Sequence, residues 1–204
     1  MMDEIALALS AQQGDLDAFN RLVLEFQDLA FNIAFRMLGD PDAAADATQS
    51  AFIAAFKHLS SYRGGSFKSW VLRIVTNTCY DELRRQKRRP TTPLEPVLDG
   101  EDEEIESPQW LRDDSPSPES MLESSELEDA IQECLQTMKH DFRLMVIMVD
   151  IHGMDYQEVA DNTGVPLGTI KSRLARARAK LRDCLQYFRE LLPHNYRHDS
   201  EGNQ

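Results

Sequence analysis

Apolar positions along this chain recur at intervals of three and four, the helical period, and the alternation of a half-buried strand is almost absent. Phe19, Leu22, Val23, Phe26, Leu29, Ala30, Ile33 and Met37 outline a long amphipathic helix that stops at Gly39. A second helix runs from about Asp42 to His58 and presents Ala47, Phe52, Ile53 and Phe56. After the turn-like SSYRGGS, a third extends from about Phe67 to Arg88. Further along, DYQEVADNTG starts with Asp155 at a good N-cap position and ends at Gly164, the residue type favoured where a helix stops. A new helix begins just after Pro166. Two short helices with a tight turn between them form a helix-turn-helix. The predicted fold class is all-α, with a three- to four-helix N-terminal domain and a C-terminal helix-turn-helix domain.

Winding the last helix at about 100° per residue puts Ile170, Leu174, Ala177, Leu181, Leu185 and Phe188 in one stripe, the face that packs. Opposite lie Gly168, Ser172, Ala175, Arg176 and Ala179. Lys171, Arg178 and Arg182 flank that small-residue strip on one side, Arg173 and Lys180 on the other. A slim helix back between two cationic rows fits a DNA major groove, where flanking side chains hold phosphates and central ones reach base edges. Ser172 and Arg176 are the candidate base readers. Lys and Arg that merely solvate an exposed helix give the same charge pattern.

The third helix of the N-terminal set carries another unusual face. Arg73, Asn77, Tyr80 and Arg84 follow spacings of four, three and four, and the helix runs on into RRQKRR. Cations beside a planar amide and an aromatic ring suit a single strand, whose phosphates need charge and whose unstacked bases need a surface. A tyrosine capping a core beside a solvated basic helix end is the structural alternative.

Charge changes the picture of the whole. The formal net charge is -13, yet residues 1–89 carry 11 basic and 11 acidic side chains, whereas residues 90–126 carry 1 and 12. The deficit belongs to the connector, PTTPLEPVLDGEDEEIESPQWLRDDSPSPES, whose composition buries too little apolar surface to offset ordering entropy and reads as disordered or extended. The expected division is therefore 1–90, an acidic linker at 91–123, a second domain at 124–192 and a polar tail at 193–204. Cys79, Cys134 and Cys184 are far apart and read as small buried hydrophobes, not as a disulfide framework or metal site. The five histidines make no ligand spacing with them. No catalytic constellation, metal site or cofactor motif stands out, and no apolar run approaches the length of a membrane span, so a cytoplasmic, non-enzymatic protein is expected.

Three segments, in order, resemble the extracytoplasmic-function (ECF) sigma factors of bacterial RNA polymerase. GDPDAAADATQSAF is similar to the family's polymerase-binding segment, YRGGSFKSWVLRIVTNTCYDELRRQKR to its promoter-melting segment, and YQEVADNTGVPLGTIKSRLARARAKL to its minus-35-reading segment. The resemblance implies that Asp46, Gln49, Phe52 and Phe56 dock on core polymerase. Ser50 stands where the family usually has an acidic residue and Ala43 where Asp is common, which leaves the contacts at those two positions open. At the minus-10 element it implies a base-capturing loop and helix face of Tyr62, Arg63, Ser66, Phe67, Lys68, Asn77 and Tyr80. Arg73, Arg84, Arg85 and Lys87 would hold phosphates. Trp70 matches the family's Trp but stands among apolar neighbours that equally suit a core role. At the minus-35 duplex it implies contacts by Thr169, Lys171, Ser172, Arg173, Arg176, Arg178 and Lys180.

The implied partners are core RNA polymerase, promoter DNA as duplex and single strand, and an anti-sigma factor. In the family the connector threads through the polymerase; here its anionic run, with Trp110 and Leu111 as apolar anchors, would alternatively cover the two basic faces in the free protein. The competing reading is a helix-turn-helix regulator that does not bind core polymerase, which explains residues 156–182 but neither the Asn77 and Tyr80 face nor the docking segment.

Overall fold

The computed structural model describes residues 3–88 and 118–192, and every regular element among them is helical. The N-terminal unit comprises α1 (Glu4–Gln12), α2 (Leu16–Leu38), α3 (Pro41–Lys57), a 3-10 turn (Leu59–Ser61) and α4 (Phe67–Arg88). The C-terminal unit comprises α5 (Pro118–Gln136), α6 (His140–Val146) continuing into a π turn (Ile147–Ile151), α7 (Tyr156–Thr163) and α8 (Leu167–Leu185). The all-α expectation holds. The linker anchors Trp110 and Leu111 and the polar tail lie outside the described residues. The first turns of α5 fall inside the stretch read as extended, with Pro118 as the first helical residue, the position proline tolerates best.

Helix boundaries follow local chemistry. Asp15 accepts from Ala18 N at 3.0 Å, and Asp40 from Ala43 N at 2.7 Å with Pro41 behind it. Asp155 and Glu158 form a reciprocal capping box at the start of α7. Gly164 closes that helix at φ 68°, the left-handed conformation that makes the helix-turn-helix turn tight. The apolar stripe of α2 is buried at Leu22, Phe26, Ala30, Ile33 and Met37. α1 escapes a periodicity reading because it buries only Ala8 and Ala11 and leaves Ile5 and Leu9 exposed.

The two units are not separate. One continuous core joins Met37 and Val75 to Leu135, Leu144, Met145, Ile147 and Val159. One polar part of the junction lies at the C-terminus of α2, where a helix leaves its last four carbonyls without intrahelical partners. Gln132 Nε2 of α5 donates to Phe35 O at 3.1 Å, and Gln136 Nε2 to Arg36 O at 3.2 Å. Arg143 of α6 donates to Met37 O. Arg143 is only 2% exposed and also donates to Leu135 O, Gln136 O, Gln136 Oε1 and Met138 O. Its charge is thus solvated by carbonyl dipoles instead of by a carboxylate, and burial lowers its pKa to about 10. Gly39, at φ 79°, makes the close approach possible, since a Cβ there would stand 2.7 Å from Gln136 Cδ.

The cysteine reading is corrected. Cys134 and Cys184 form a disulfide between α5 and α8 with Cα atoms 5.8 Å apart, a span such bonds require. Packing of α5 on α8 brings together positions 50 residues apart, which spacing in the sequence could not reveal. Cys79 alone is the buried hydrophobe expected, its thiol pushed up to about 12 by burial.

Candidate nucleic-acid interface

On α4, Arg73, Asn77 and Arg84 are exposed and Tyr80 is half-buried along one face, as the spacing implied. This face looks at the C-terminal unit. Arg73 Nη2 donates to Asp161 O at the end of α7, and Tyr80 Oη donates to Asp141 Oδ1 of α6 at 3.0 Å. The other oxygen of Asp141 pairs with Arg173 of α8 at 3.2 Å. Burial, then the Asp141 charge, raises the Tyr80 hydroxyl above its ordinary range, so it stays a neutral donor. Arg84 is paired with Asp81 at 3.1 Å on the open surface. Arg85 points elsewhere, toward Glu82 at 2.7 Å and the charge of Asp46, because consecutive helical residues diverge by about 100°.

The loop before α4 divides into framework and surface. Tyr62 is 4% exposed and Phe67 fully buried, and with Trp70 they form an aromatic cluster with centroids 5.4 to 5.7 Å apart. The Tyr62 hydroxyl donates to Gly65 O at 2.6 Å, and Gln12 of α1 donates to both Leu59 O and Tyr62 O. Tyr62 and Phe67 therefore hold the loop from inside. Arg63 and Ser66 stand on its outer surface, Lys68 is partly covered, and Ser66 Oγ caps α4 by accepting from Ser69 N.

α8 buries Ile170, Leu174 and Ala177, while Leu181, Leu185 and Phe188 are only partly covered. Ser172, Arg176, Lys171 and Lys180 are exposed, and Thr169 is partly so. Ser172 Oγ donates to Thr169 O at 3.0 Å, leaving its lone pairs outward. Arg178 is engaged in a two-pronged pair with Asp150 at 2.5 and 3.0 Å, and Arg173 and Arg182 also have carboxylate partners inside their own unit, whereas Lys171 and Lys180 stand exposed.

Those two faces share one cleft of about 910 Å³, with Tyr80, Arg84 and Lys87 on one wall and Ser172, Arg173 and Arg176 on the other. α4 therefore stands across this cleft from the side of α8 that a major groove would have to admit. A smaller recess of about 280 Å³ beside it is bordered by Thr76 and Asn162, each holding a buried oxygen with no protein partner.

A groove of about 770 Å³ between α2 and α3 lies elsewhere on the N-terminal unit, lined by Phe19, Val23, Phe31, Phe52, Ile53 and Phe56. Ile53 and Phe56, read from the sequence as part of a packing stripe, are 49% and 46% exposed at its mouth. Gln49 borders this groove and also a polar recess of about 470 Å³ containing Asp46, Ala43, Ser50 and Arg85. Asp141, Gln132, Gln136 and Arg143 carry no signal in the sequence, because their roles come from which unit they face.

Residues 22–89 match Sigma-70 region 2, and residues 128–181 match Sigma-70, region 4. The ECF RNA polymerase sigma-E factor of Haemophilus influenzae is 34% identical over 89% of this chain and 94% of its own length. The chain belongs to the ECF sigma factor family. The sigma-E factor of Escherichia coli K12 is 35% identical over 86% of this sigma factor and 90% of its own length. SigE of Mycolicibacterium smegmatis is 32% identical over 86% of the chain and 65% of its own length. Among solved structures, CnrH in complex with the cytosolic domain of CnrY shares the fold at a TM-score of 0.63 and 24% identity, covering 91% of this chain and 99% of CnrH. The sigma factor RpoE of Bartonella quintana, solved with the anti-sigma factor NepR, shares it at 0.59 and 22%, covering 82% and 96%. Membership makes this a transcription initiation factor, in a family of non-enzymatic factors. α3 and α4 fall within its region 2, and α8 falls largely within region 4. Among the described residues no helix is long and apolar enough to cross a membrane, and no group of side chains could hold a metal ion.

Proposed function

We propose that this ECF sigma factor is a dissociable initiation subunit that docks on core RNA polymerase, reads the minus-35 duplex through α8 and holds the melted minus-10 strand on α4. It catalyses nothing itself and works in the bacterial cytoplasm. Region 2 is the polymerase-facing unit, with the α2–α3 groove, Phe52 and Phe56 as the apolar dock and Asp46 and Gln49 at its polar rim. Asn77, Arg63 and Ser66 are the groups free to meet an extruded base, while Arg73, Arg84 and Lys87 neutralise phosphates. Thr169, Lys171, Ser172, Arg173, Arg176 and Lys180 meet the minus-35 groove.

The observation that carries this reading is the pairing of two aligned polar stripes, one in each matched sigma region, that stand on opposite walls of one cleft. The closed arrangement adds a step. Promoter elements about two DNA turns apart lie roughly 70 Å from one another, so the units must part when the factor engages polymerase. Residues 89–117, extended at about 3.3–3.6 Å each, reach close to 100 Å and permit it. An anti-sigma factor is the regulatory partner, as for the RpoE of B. quintana.

The test is transcription in vitro with core enzyme and promoters selected from the source genome. Promoter-specific initiation that requires the chain is the expected result. If no promoter yields initiation while the chain is folded and binds DNA, the reading gives way to a regulator that does not engage polymerase.

A further inference from the structure

The Cys134–Cys184 bond lies outside every surface assigned above, and its position suggests a use. Cys134 is fully buried on α5, and Cys184 is partly exposed in the last turn of α8. Gln132 and Gln136, one turn apart, face the end of α2 and tie region 4 to region 2. Cys134 sits about 200° around α5 from Gln132 and faces α8 instead. α8 in turn presents Arg173 to the Asp141 carboxylate that also holds Tyr80. The bond thus joins the helix that caps α2 to the helix that carries the DNA-facing side chains.

We infer that Cys134 and Cys184 form a reversible oxidation site that sets how firmly the closed arrangement is held. The inference rests on the initiation-factor reading, because in a reducing cytoplasm a disulfide is usually transient and regulatory, not structural. The reactant class is a hydroperoxide. Cys184, the more exposed residue of the pair, attacks the distal peroxide oxygen as thiolate; the O–O bond breaks, water or an alcohol leaves, and Cys184 becomes a sulfenic acid. Cys134 thiolate then attacks the Cys184 sulfur, the S–OH bond breaks, and the hydroxide leaves as water with the thiol's proton. Two electrons pass from the two thiols to the peroxide. A cellular dithiol returns them by exchange, becoming a disulfide itself.

Oxidation makes α5 and α8 move as one body. In that form the α2 cap and the Tyr80–Asp141 contact, whose carboxylate Arg173 of α8 holds, must break together before the cleft opens. Reduction lets each contact break separately, so the reduced chain opens more readily. Cys79, buried in region 2 with its thiol pushed up to about 12, neither reacts nor interferes.

The experiment uses the full chain, treated with hydrogen peroxide or with dithiothreitol. Thiol labelling and peptide mass spectrometry read the bond, small-angle scattering reads compaction, and core-enzyme transcription reads output. Expected are a 134–184 bond that forms with peroxide and reverses with dithiothreitol, a more compact oxidised chain, and several-fold less initiation from it. Cys184→Ser should be insensitive to peroxide in compaction and output, at the level of reduced wild type, and Cys134→Ala should behave likewise. Failure of the bond to form, or its formation with compaction and output unchanged, overturns the inference. If the reduced chain itself does not initiate, the functional reading fails, while bond formation and compaction still decide the redox site.

Discussion

Replacing Gln136 by alanine removes one hydrogen bond across the closed junction, the donation to Arg36 O at 3.2 Å. Gln136 is the informative choice because both ends of its amide are satisfied, Oε1 accepting from Arg143 Nη1 at 2.6 Å. That second bond lies within the C-terminal unit and is lost from closed and open forms alike, so it cancels. Gln132 would be a poor substitute: its Oε1 is buried without a protein partner, and truncation would relieve one cost while imposing another. When the chain opens, Arg36 O and the Gln136 amide are both hydrated, so the substitution falls on the closed form. A net value of about 0.5–1.5 kcal/mol for such a bond lowers the closed-to-open ratio roughly 2- to 13-fold. The apparent affinity of the free chain for a minus-35 duplex is its intrinsic affinity scaled by the open fraction. The dissociation constant should therefore fall by the same factor, up to the point where the chain is mostly open. Anisotropy titration of a labelled duplex at fixed ionic strength measures it, since phosphate contacts make every such constant salt-dependent. The substitution touches no DNA-facing residue and exchanges Gln for a better helix former. An unchanged dissociation constant in a normally folded variant would refute the claim that the α2 cap restrains DNA binding.

Gly39→Ala forces a Cβ into Gln136 and places alanine at φ 79°, a strain of about 1–2 kcal/mol, so the melting temperature should fall while free-chain DNA affinity rises. Combined with Gln136→Ala the affinity gains should be less than additive, because both act on one contact. Burial, then the Arg36 and Lys68 charges, hold the half-buried His152 below its ordinary pKa of 6.5. The unfolded chain therefore takes up this proton first; stability is fully present above about pH 6.5 and is lost as pH falls toward the lower folded value. Denaturant titrations between pH 7 and 5 should show a shallower loss for His152→Gln than for wild type. Ile53→Ser at the mouth of the α2–α3 groove should weaken core-polymerase binding by about 0.7–1.5 kcal/mol, half the value of fully burying such a side chain, since Ile53 is 49% exposed in the free chain. Its effect on free-chain DNA affinity should be nil, and pull-down with core enzyme beside duplex titration separates the two.

Much of the site was legible in the sequence because helical periodicity converts spacing into direction. Arg73, Asn77, Tyr80 and Arg84 share a face in any α-helix that contains them, and Ile170, Leu174 and Ala177 oppose Ser172 and Arg176 for the same reason. Capping chemistry likewise placed Asp155, Gly164 and Gly39 at helix ends before any tertiary contact was known. Tyr62 and Phe67 read as loop groups because a sequence window shows that an aromatic is near a turn, not which side of the turn it packs on. Arg85 separated from Arg84 because adjacent cations in a basic run point in different directions once the helix is wound.

What only the tertiary structure decided concerns contacts between segments that sequence keeps far apart. Arg143 is an unremarkable cation in an apolar run until α2 brings Met37 O to it across 106 positions. Cys134 and Cys184 read as isolated hydrophobes until α5 lies on α8. Most of all, two basic faces that each read as free to bind DNA turn out to enclose a single cleft. Local periodicity determines the direction of a side chain relative to its own helix axis, and carries no information about what stands opposite; that is set by the burial of both apolar stripes in one shared core.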